Sequence, residues 1–205
     1  MDASLSPIAR RPLVVGLGGT TRPGSTTERA LAVALHAAEV AGASTILLGG
    51  EFLATLPIFD PRPGGPTSSQ EQLLDAIGQA DGVIIATPGY HGSISGVVKN
   101  ALDTLELARK DTRPYLAGVA VGTIVTAAGS QAAGTSLVTL RTIIHALRGW
   151  PTPFGAALNS ATPLFDDVGC CRDDKDESQL NMVAEQVVEF ARMRTALQRQ
   201  SAFAH

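Results

Sequence analysis

The chain has 205 residues, a formal net charge of −3 and 44% hydrophobic residues, which suits one domain with a sizeable core. With no basic run, that balance argues against nucleic acid as the main partner, and it falls well short of the acidic surface of a dedicated electron shuttle. No apolar stretch reaches the length of a membrane span and the N-terminus lacks a signal peptide's apolar core, so the expected setting is cytoplasmic, with no membrane partner.

Strand and helix signals alternate along the chain, the pattern of a parallel sheet covered on both faces. Strands are expected near residues 12–17, 44–48, 82–87, 116–125 and 154–158, and their near-continuous apolar character fits burial on both sides. Helices are expected near 26–41, 69–79, 95–109, 134–148 and 177–197. Five strands and five helices predict an α/β three-layer sandwich, a parallel sheet of order 2-1-3-4-5 with helices on both faces. The whole chain, 1–205, reads as a single domain with flexible ends at 1–10 and 198–205. The connection from Glu51 to Ser69, carrying Pro57, Pro61, Pro63 and Pro66, either edges the site or packs against another subunit.

The first strand feeds a glycine turn, Gly18-Gly19-Thr20-Thr21-Arg22-Pro23-Gly24-Ser25-Thr26-Thr27, and an Ala-rich helix follows. A helix N-terminus offers free N–H groups and the positive end of the macrodipole, which together favour an anion. Thr20, Ser25 and Thr27 add hydroxyls and Arg22 a charge, so a single phosphate is one natural occupant. The plainer alternative is a helix cap, with Ser25 as N-cap and Glu28 completing a capping box.

The third strand leads into Thr87-Pro88-Gly89-Tyr90-His91-Gly92-Ser93-Ile94-Ser95-Gly96. Here Tyr90 offers a stacking face, Gly89, Gly92 and Gly96 offer close backbone approach, and Ser93 and Ser95 offer small hydroxyls. That set suits a flat, polar-edged ligand. In the order 2-1-3-4-5 the first and third strands flank the switch point, so the two loops share one crevice. Two commoner nucleotide signatures fail. No Lys precedes Lys99, so there is no P-loop, and Thr21 stands where a dinucleotide fingerprint needs its third glycine.

These two loops resemble the motifs of the NADPH-dependent FMN reductase family, within the flavodoxin-like superfamily. The first motif, Gly-Ser-x-Arg-x-x-Ser, corresponds to Gly19 through Ser25, with Thr20 for Ser. Thr27 stands where Asn is frequent. The second, Pro-x-Tyr-x-Gly-Ser-x-x-Gly-x-x-Lys-Asn-x-x-Asp, corresponds to Pro88 through Asp103. The resemblance covers roughly residues 12–160 and implies a flavodoxin-like fold and an FMN-dependent NAD(P)H oxidoreductase. It places the FMN phosphate on Thr20, Arg22, Ser25, Thr26 and Thr27, and the ring over Pro88, Gly89, Tyr90, His91, Gly92 and Ser93.

The loop after the fourth strand, with Ala128, Gly129 and Ser130, either meets the flavin's pyrimidine edge through its N–H groups or is a plain helix cap. No side chain is expected to be catalytic, since hydride from NADPH (or NADH) passes to the flavin's N5 and the cofactor carries the chemistry. The resemblance favours an FMN reductase that supplies reduced flavin, with a flavin-dependent monooxygenase as a possible partner. Its rivals are a tightly FMN-bound quinone, azo-dye or metal-oxyanion reductase, and a non-enzymatic flavodoxin-type carrier. Substrates are small molecules, and the resemblance implies a homodimer or homotetramer. Arg22, Arg62 and Arg113 are the candidate partners for a 2′-phosphate.

The remaining conspicuous residues have plain expectations. His36 and His145 are structural, Lys99 and Asp103 pair at i,i+4, and Trp150 packs. Adjacent Cys170 and Cys171 are exposed, reduced thiols rather than a disulfide or metal site.

Overall fold

The computed structural model describes residues 10–62 and 64–203, with residues 199–203 described by backbone alone. The elements in chain order are β1 (Leu13–Gly18), α1 (Thr26–Val40), β2 (Ser44–Leu48), α2 (Gly50–Thr55), α3 (Ser68–Gln79), β3 (Gly82–Tyr90), β4 (Ser93–Ile94) and α4 (Gly96–Thr104). A 3-10 turn (Leu105–Ala108) follows, then β5 (Ala120–Ala127), α5 (Ser130–Ala146), β6 (Trp150–Pro151), β7 (Ala156–Asn159) and α6 (Asp174–Phe203).

The sheet runs β2-β1-β3-β5-β6, with β7 also paired to β5 and all of these pairings parallel. The expected order 2-1-3-4-5 therefore holds by position, but the strand count is seven rather than five. The fifth position is split, because Thr152 to Gly155, with Pro153 inside it, interrupts the ladder between β6 and β7. The other addition is β4, which folds back antiparallel on the end of β3.

Alternation along the strands sends side chains to two helical layers. Val15, Leu17, Val83, Ile85 and Val121 pack with Leu73 and Ile77 of α3, Val98 and Leu102 of α4, and Leu140 and Ile144 of α5. Val14, Ile84, Ala86 and Ile124 pack with Ala30, Leu31 and Ala34 of α1 and Leu180, Val183 and Val187 of α6. Glycine on the strands lets those helices sit close: a Cβ on Gly16 would lie 2.6 Å from Leu35 Cδ1, and one on Gly122 2.5 Å from Val183 Cγ1.

Several boundaries differ from expectation. The short helix α2 occupies the start of the Glu51–Ser69 connection; at six residues it is too short to show helical periodicity. Its glycine entry also masks the usual cap signal. α5 starts at Ser130 instead of 134 because Gly129, at φ +116°, turns the chain directly into the helix. α6 extends to Phe203, past the expected 197. Of the ends expected to be flexible, 1–10 and 198–205, residues 1–9 and 204–205 lie outside the described residues, while residues 198–203 continue α6.

Arg113 has a structural post. Its guanidinium donates to the carbonyls of Ala80 (2.6 Å), Gly78 (2.7 Å) and Ile77 where α3 ends. Burial holds its pKa below the usual arginine value, against the opposing pull of Asp81. Committed to these carbonyls, it is not a free partner for a 2′-phosphate. Arg113→Met should lower unfolding stability by about 1–3 kcal/mol, the scale of lost charged hydrogen bonds. Urea unfolding checks this, and the NADPH KM should not change.

Candidate functional site

Strand register brings the expected loops to one edge. Gly18, the last residue of β1, pairs with Ala86 of β3, and Pro88 of β3 pairs with Thr126 near the end of β5. The carboxyl ends of β1, β3 and β5 are therefore adjacent, and the loops leaving them open on the same side.

The first loop is locked at its base. Gly19 N–H donates to Ala86 O at 3.2 Å, and a Cβ on Gly18 would lie 2.0 Å from that same oxygen. Thr20 Oγ1 accepts from Arg22 N–H at 3.1 Å, a turn closed by its own side chain. Ser25 caps α1, accepting from Glu28 N–H at 3.3 Å. The capping box is not completed, because Glu28 turns its carboxylate to Gly50 N–H at 3.2 Å and so ties the loop to the start of α2. Ser25 and Thr27 are each only 2% exposed, and Thr27 Oγ1 lies 2.6 Å from Thr126 Oγ1 of β5. Thr26 is half-buried, and the exposed Arg22 guanidinium has no partner among the described residues.

The second loop is part of a hairpin, not a free turn. β3 continues through Pro88 and Gly89 to Tyr90, which pairs with Ser93 of β4. The two residues between them, His91 at φ +51° and Gly92 at φ +79°, form the type of two-residue turn in which both centres are left-handed. Tyr90 at the tip is 53% exposed. Gly89 serves close packing inside the protein: a Cβ there would meet Ser136 Oγ of α5 at 2.8 Å. Ser136 Oγ also donates to Ser93 O at 3.1 Å, clamping the hairpin onto α5. Below it, Thr87 Oγ1 accepts from Ser95 N–H at 2.9 Å, and Ser95 in turn caps α4.

The third loop depends on a residue that the sequence did not single out. Asn159, at the carboxyl end of β7, accepts from Gly129 N–H at 3.0 Å and from Ala161 N–H at 3.1 Å through Oδ1. Ala128 and Ser130 flank Gly129 and are exposed. A Cβ built on Gly24, Gly92 or Gly129 meets nothing within 4 Å, so each of the three loops has an open face. Asn100, inside the second motif, is another residue with an unread role. Its side chain bonds Phe59 N–H (2.8 Å) and Pro57 O (2.9 Å), pinning the proline-rich connection to α4. Lys99 and Asp103 pair as expected, at 2.6 Å.

The sequence matches the NADPH-dependent FMN reductase family over residues 12–162. The chain belongs to that family. A protein of Staphylococcus haemolyticus (strain JCSC1435) named FMN-dependent NADPH-azoreductase is 30% identical over 142 residues, 68% of this chain and 70% of that protein. The protein of that name from Staphylococcus aureus (strain USA300) matches to the same extent. Among solved structures, FerB, the flavoenzyme NAD(P)H:(acceptor) oxidoreductase of Paracoccus denitrificans, superposes with a TM-score of 0.71 at 22% identity, covering 89% of this chain and 98% of that one. An apo NADH:FMN oxidoreductase superposes at 0.65 and 22% identity, covering 88% of each chain. The fold is flavodoxin-like and the chain is an FMN-dependent NAD(P)H oxidoreductase.

The residues present fit FMN. Donors without intrahelical acceptors, small hydroxyls and one free guanidinium suit a phosphate, while an exposed tyrosine on a fixed hairpin suits a ring. Among the described residues no three His, Cys, Asp or Glu converge as a metal set.

Beside the first loop, Arg29 donates to Gly24 O (3.2 Å) and to Asp166 O (3.3 Å), joining it to the turn that carries the cysteines. Cys170 is exposed and Cys171 half-buried, both as free thiols. Burial, with Glu177 and Asp176 adding to it, pushes the Cys171 pKa up to about 11. At pH 8 Cys171 is therefore a protonated, poor nucleophile, and iodoacetamide should label Cys170 first, as peptide mass mapping will show. Asn159→Ala should cost about 0.5–1.5 kcal/mol and speed amide exchange at Gly129, measured by hydrogen exchange.

Proposed function

We propose that FMN lies along the carboxyl edge of β1, β3 and β5 and stays bound through turnover while NAD(P)H and a small, flat acceptor use the open side in turn. The observation that carries this reading is the fixed spacing of three loops by the register of β3 between β1 and β5.

In this arrangement Thr20, Arg22, Ser25, Thr26 and Thr27 hold the phosphate. The N–H groups of the first turn of α1 and the Arg22 charge neutralise it. Ser25 also maintains the end of the helix, and Thr27 braces it on β5. Pro88, Gly89, Tyr90, His91, Gly92 and Ser93 support the ring. Ala128, Gly129 and Ser130 lie at the pyrimidine edge, where the first turn of α5 favours negative charge. When bound, FMN supplies the two-electron carrier between NAD(P)H and the acceptor. The protein contributes position and charge, so it needs no acid–base side chain.

Retention is favoured because the loops are held by internal hydrogen bonds before any ligand arrives, and preorganisation lowers the cost of binding. The name shared by the staphylococcal relatives supports an aromatic acceptor such as an azo dye. Release of FMN as a reduced product is the competing fate that the sequence resemblance favours; in that case a flavin-dependent monooxygenase is the partner. The working form is a homo-oligomer in the cytoplasm.

Flavin titration followed by NADPH oxidation separates these courses. Submicromolar FMN binding, with oxidation only when a quinone or dye is added, supports retention. Oxidation that saturates in micromolar free FMN supports release. Arg22→Ala should weaken FMN binding by about 1.5–3 kcal/mol without lowering the melting temperature; unchanged affinity would remove the phosphate assignment.

A further inference from the structure

Arginines collect at the pole opposite the three loops, where β1, β3 and β5 begin. Arg10 and Arg11 precede β1, Asp81 precedes β3 and Gly118 precedes β5. Arg192 and Arg194 reach the same edge from the last turns of α6, against Gly42 and Gly118. Asp81 is the carboxylate among them, and it is already engaged. Arg10 Nη2 donates to both of its oxygens at 2.8 Å, and Leu13 N–H donates to it at 2.7 Å. Two acids nearby are held elsewhere, Glu39 by Thr45 and His36, and Glu106 by Arg109 and Tyr115.

Helix carboxyl ends attract cations, and that accounts for two of these arginines. Arg113 closes α3, and Arg192 donates to Ala41 O where α1 ends. It does not account for Arg194, which is half-buried and has no hydrogen bond or ion pair among the described residues. Gly118, at φ +74°, makes room for it, since a Cβ there would lie 2.1 Å from Arg194 Nη1. A left-handed glycine thus seats a cation that has no partner. Burial first, and then the like charge of Arg194, lower the Arg113 pKa, with Asp81 opposing. Arg113 Nε is itself buried with no acceptor among the described residues. Like charges set together out of water are costly, and a bound anion relieves that cost. On the other side of Asp81, Arg10, Arg11 and Arg192 line a cleft of about 420 Å³ with Pro12, Gly42 and Thr195. Arg11 is exposed there and likewise has no partner among the described residues.

We infer that this pole binds a small diphosphate, one phosphate group on Arg194 and the other on Arg11 in the cleft, with Arg10 between them. Two partnerless guanidiniums on either side of one engaged carboxylate call for a ligand with two anionic groups. The planar fork of a guanidinium matches a pair of phosphate oxygens. Arg10, Arg113 and Arg192 are fixed by their internal hydrogen bonds, so the positive field stands ready before the ligand arrives. The shared chemistry is the diphosphate, free or carried by a nucleotide whose body fills the cleft. β1 and β3 separate this pole from the loops at their carboxyl ends. The site is therefore independent of the flavin edge and of whether FMN is retained or released.

Calorimetric titration of the full-length, FMN-saturated protein with pyrophosphate tests the inference, since saturating FMN keeps pyrophosphate from the first loop. The expected result is saturable binding that weakens as salt is added. Arg194→Gln should raise the dissociation constant about tenfold or more, the scale of a lost charged hydrogen bond. Arg11→Gln, an exposed change that spares the fold, should do the same, and FMN affinity should be unchanged in both. Inorganic phosphate, with one group, should bind about tenfold more weakly than pyrophosphate. ADP distinguishes the sources. Binding tighter than pyrophosphate and lost in Arg194→Gln identifies a nucleotide, and weaker binding identifies the free diphosphate. No saturable binding overturns the inference, as does an affinity unmoved by both substitutions. Pyrophosphate that displaces FMN also overturns it, because the anion then lies at the start of α1. Inorganic phosphate binding as tightly as pyrophosphate removes the second group.

Discussion

The pairing of β3 with β1 on one side and β5 on the other is the constraint on which the rest of the site depends. Gly18 sits against Ala86, so β1 ends four residues before β3 does. That overhang is what lets β3 continue to Tyr90 and return through β4, standing the hairpin beside the first loop. A side chain at Gly18 would strike Ala86 O, and Gly19 N–H needs the same oxygen as its acceptor. The glycine pair is required by the strand alongside it as much as by any ligand above it.

From that register the braces follow in sequence. Ser136 of α5 reaches Ser93, Thr87 reaches Ser95, Thr27 reaches Thr126, and Asn159 reaches Gly129. Each satisfies a polar group at a loop base that would otherwise be costly to bury. Each also joins a loop to the strand or helix next in the layer. Glu28 is the most telling of them, because it forgoes the cap of its own helix to hold Gly50 N–H. A carboxylate beside the proposed phosphate position would weaken anion binding there electrostatically, and engaging that carboxylate with the N–H of α2 offsets part of this effect.

Much of this was legible in the sequence, because the information is local. A glycine turn before an alanine-rich helix identifies the first loop, and alternation of apolar runs with amphipathic segments identifies the layers. What was not legible depends on partners distant in the chain. Asn159 is an ordinary strand-end residue until Gly129 lies opposite it, thirty residues away. Gly89 reads as an approach to a ligand, and only the position of α5 shows that it makes room for Ser136. The hairpin escaped notice because His91-Gly92 is not among the usual turn pairs; a non-glycine residue at φ +51° is tolerated there because the ladder and Ser136 hold both arms. The two pieces of the fifth strand are too short for any periodicity to declare them.

The ionisable groups divide by place in a way that matches cofactor-borne chemistry. Those with displaced titration are Asp60 and Arg62, which hydrogen-bond each other, Arg113 under α3, Tyr115 beside Glu106, Cys171, and Asp176 at the start of α6. Each shift has a structural cause, either burial or a local hydrogen bond, and none of these groups belongs to the three loops. Apart from His91 at the hairpin turn, the loops offer N–H groups, hydroxyls and one guanidinium, whose charge state is constant across the physiological range. An active edge built this way stabilises charge through fixed dipoles rather than proton exchange. Its rate should therefore follow the affinity and orientation of what it binds. That accounts for so many braces beneath loops whose donors are mainly fixed N–H groups and hydroxyls.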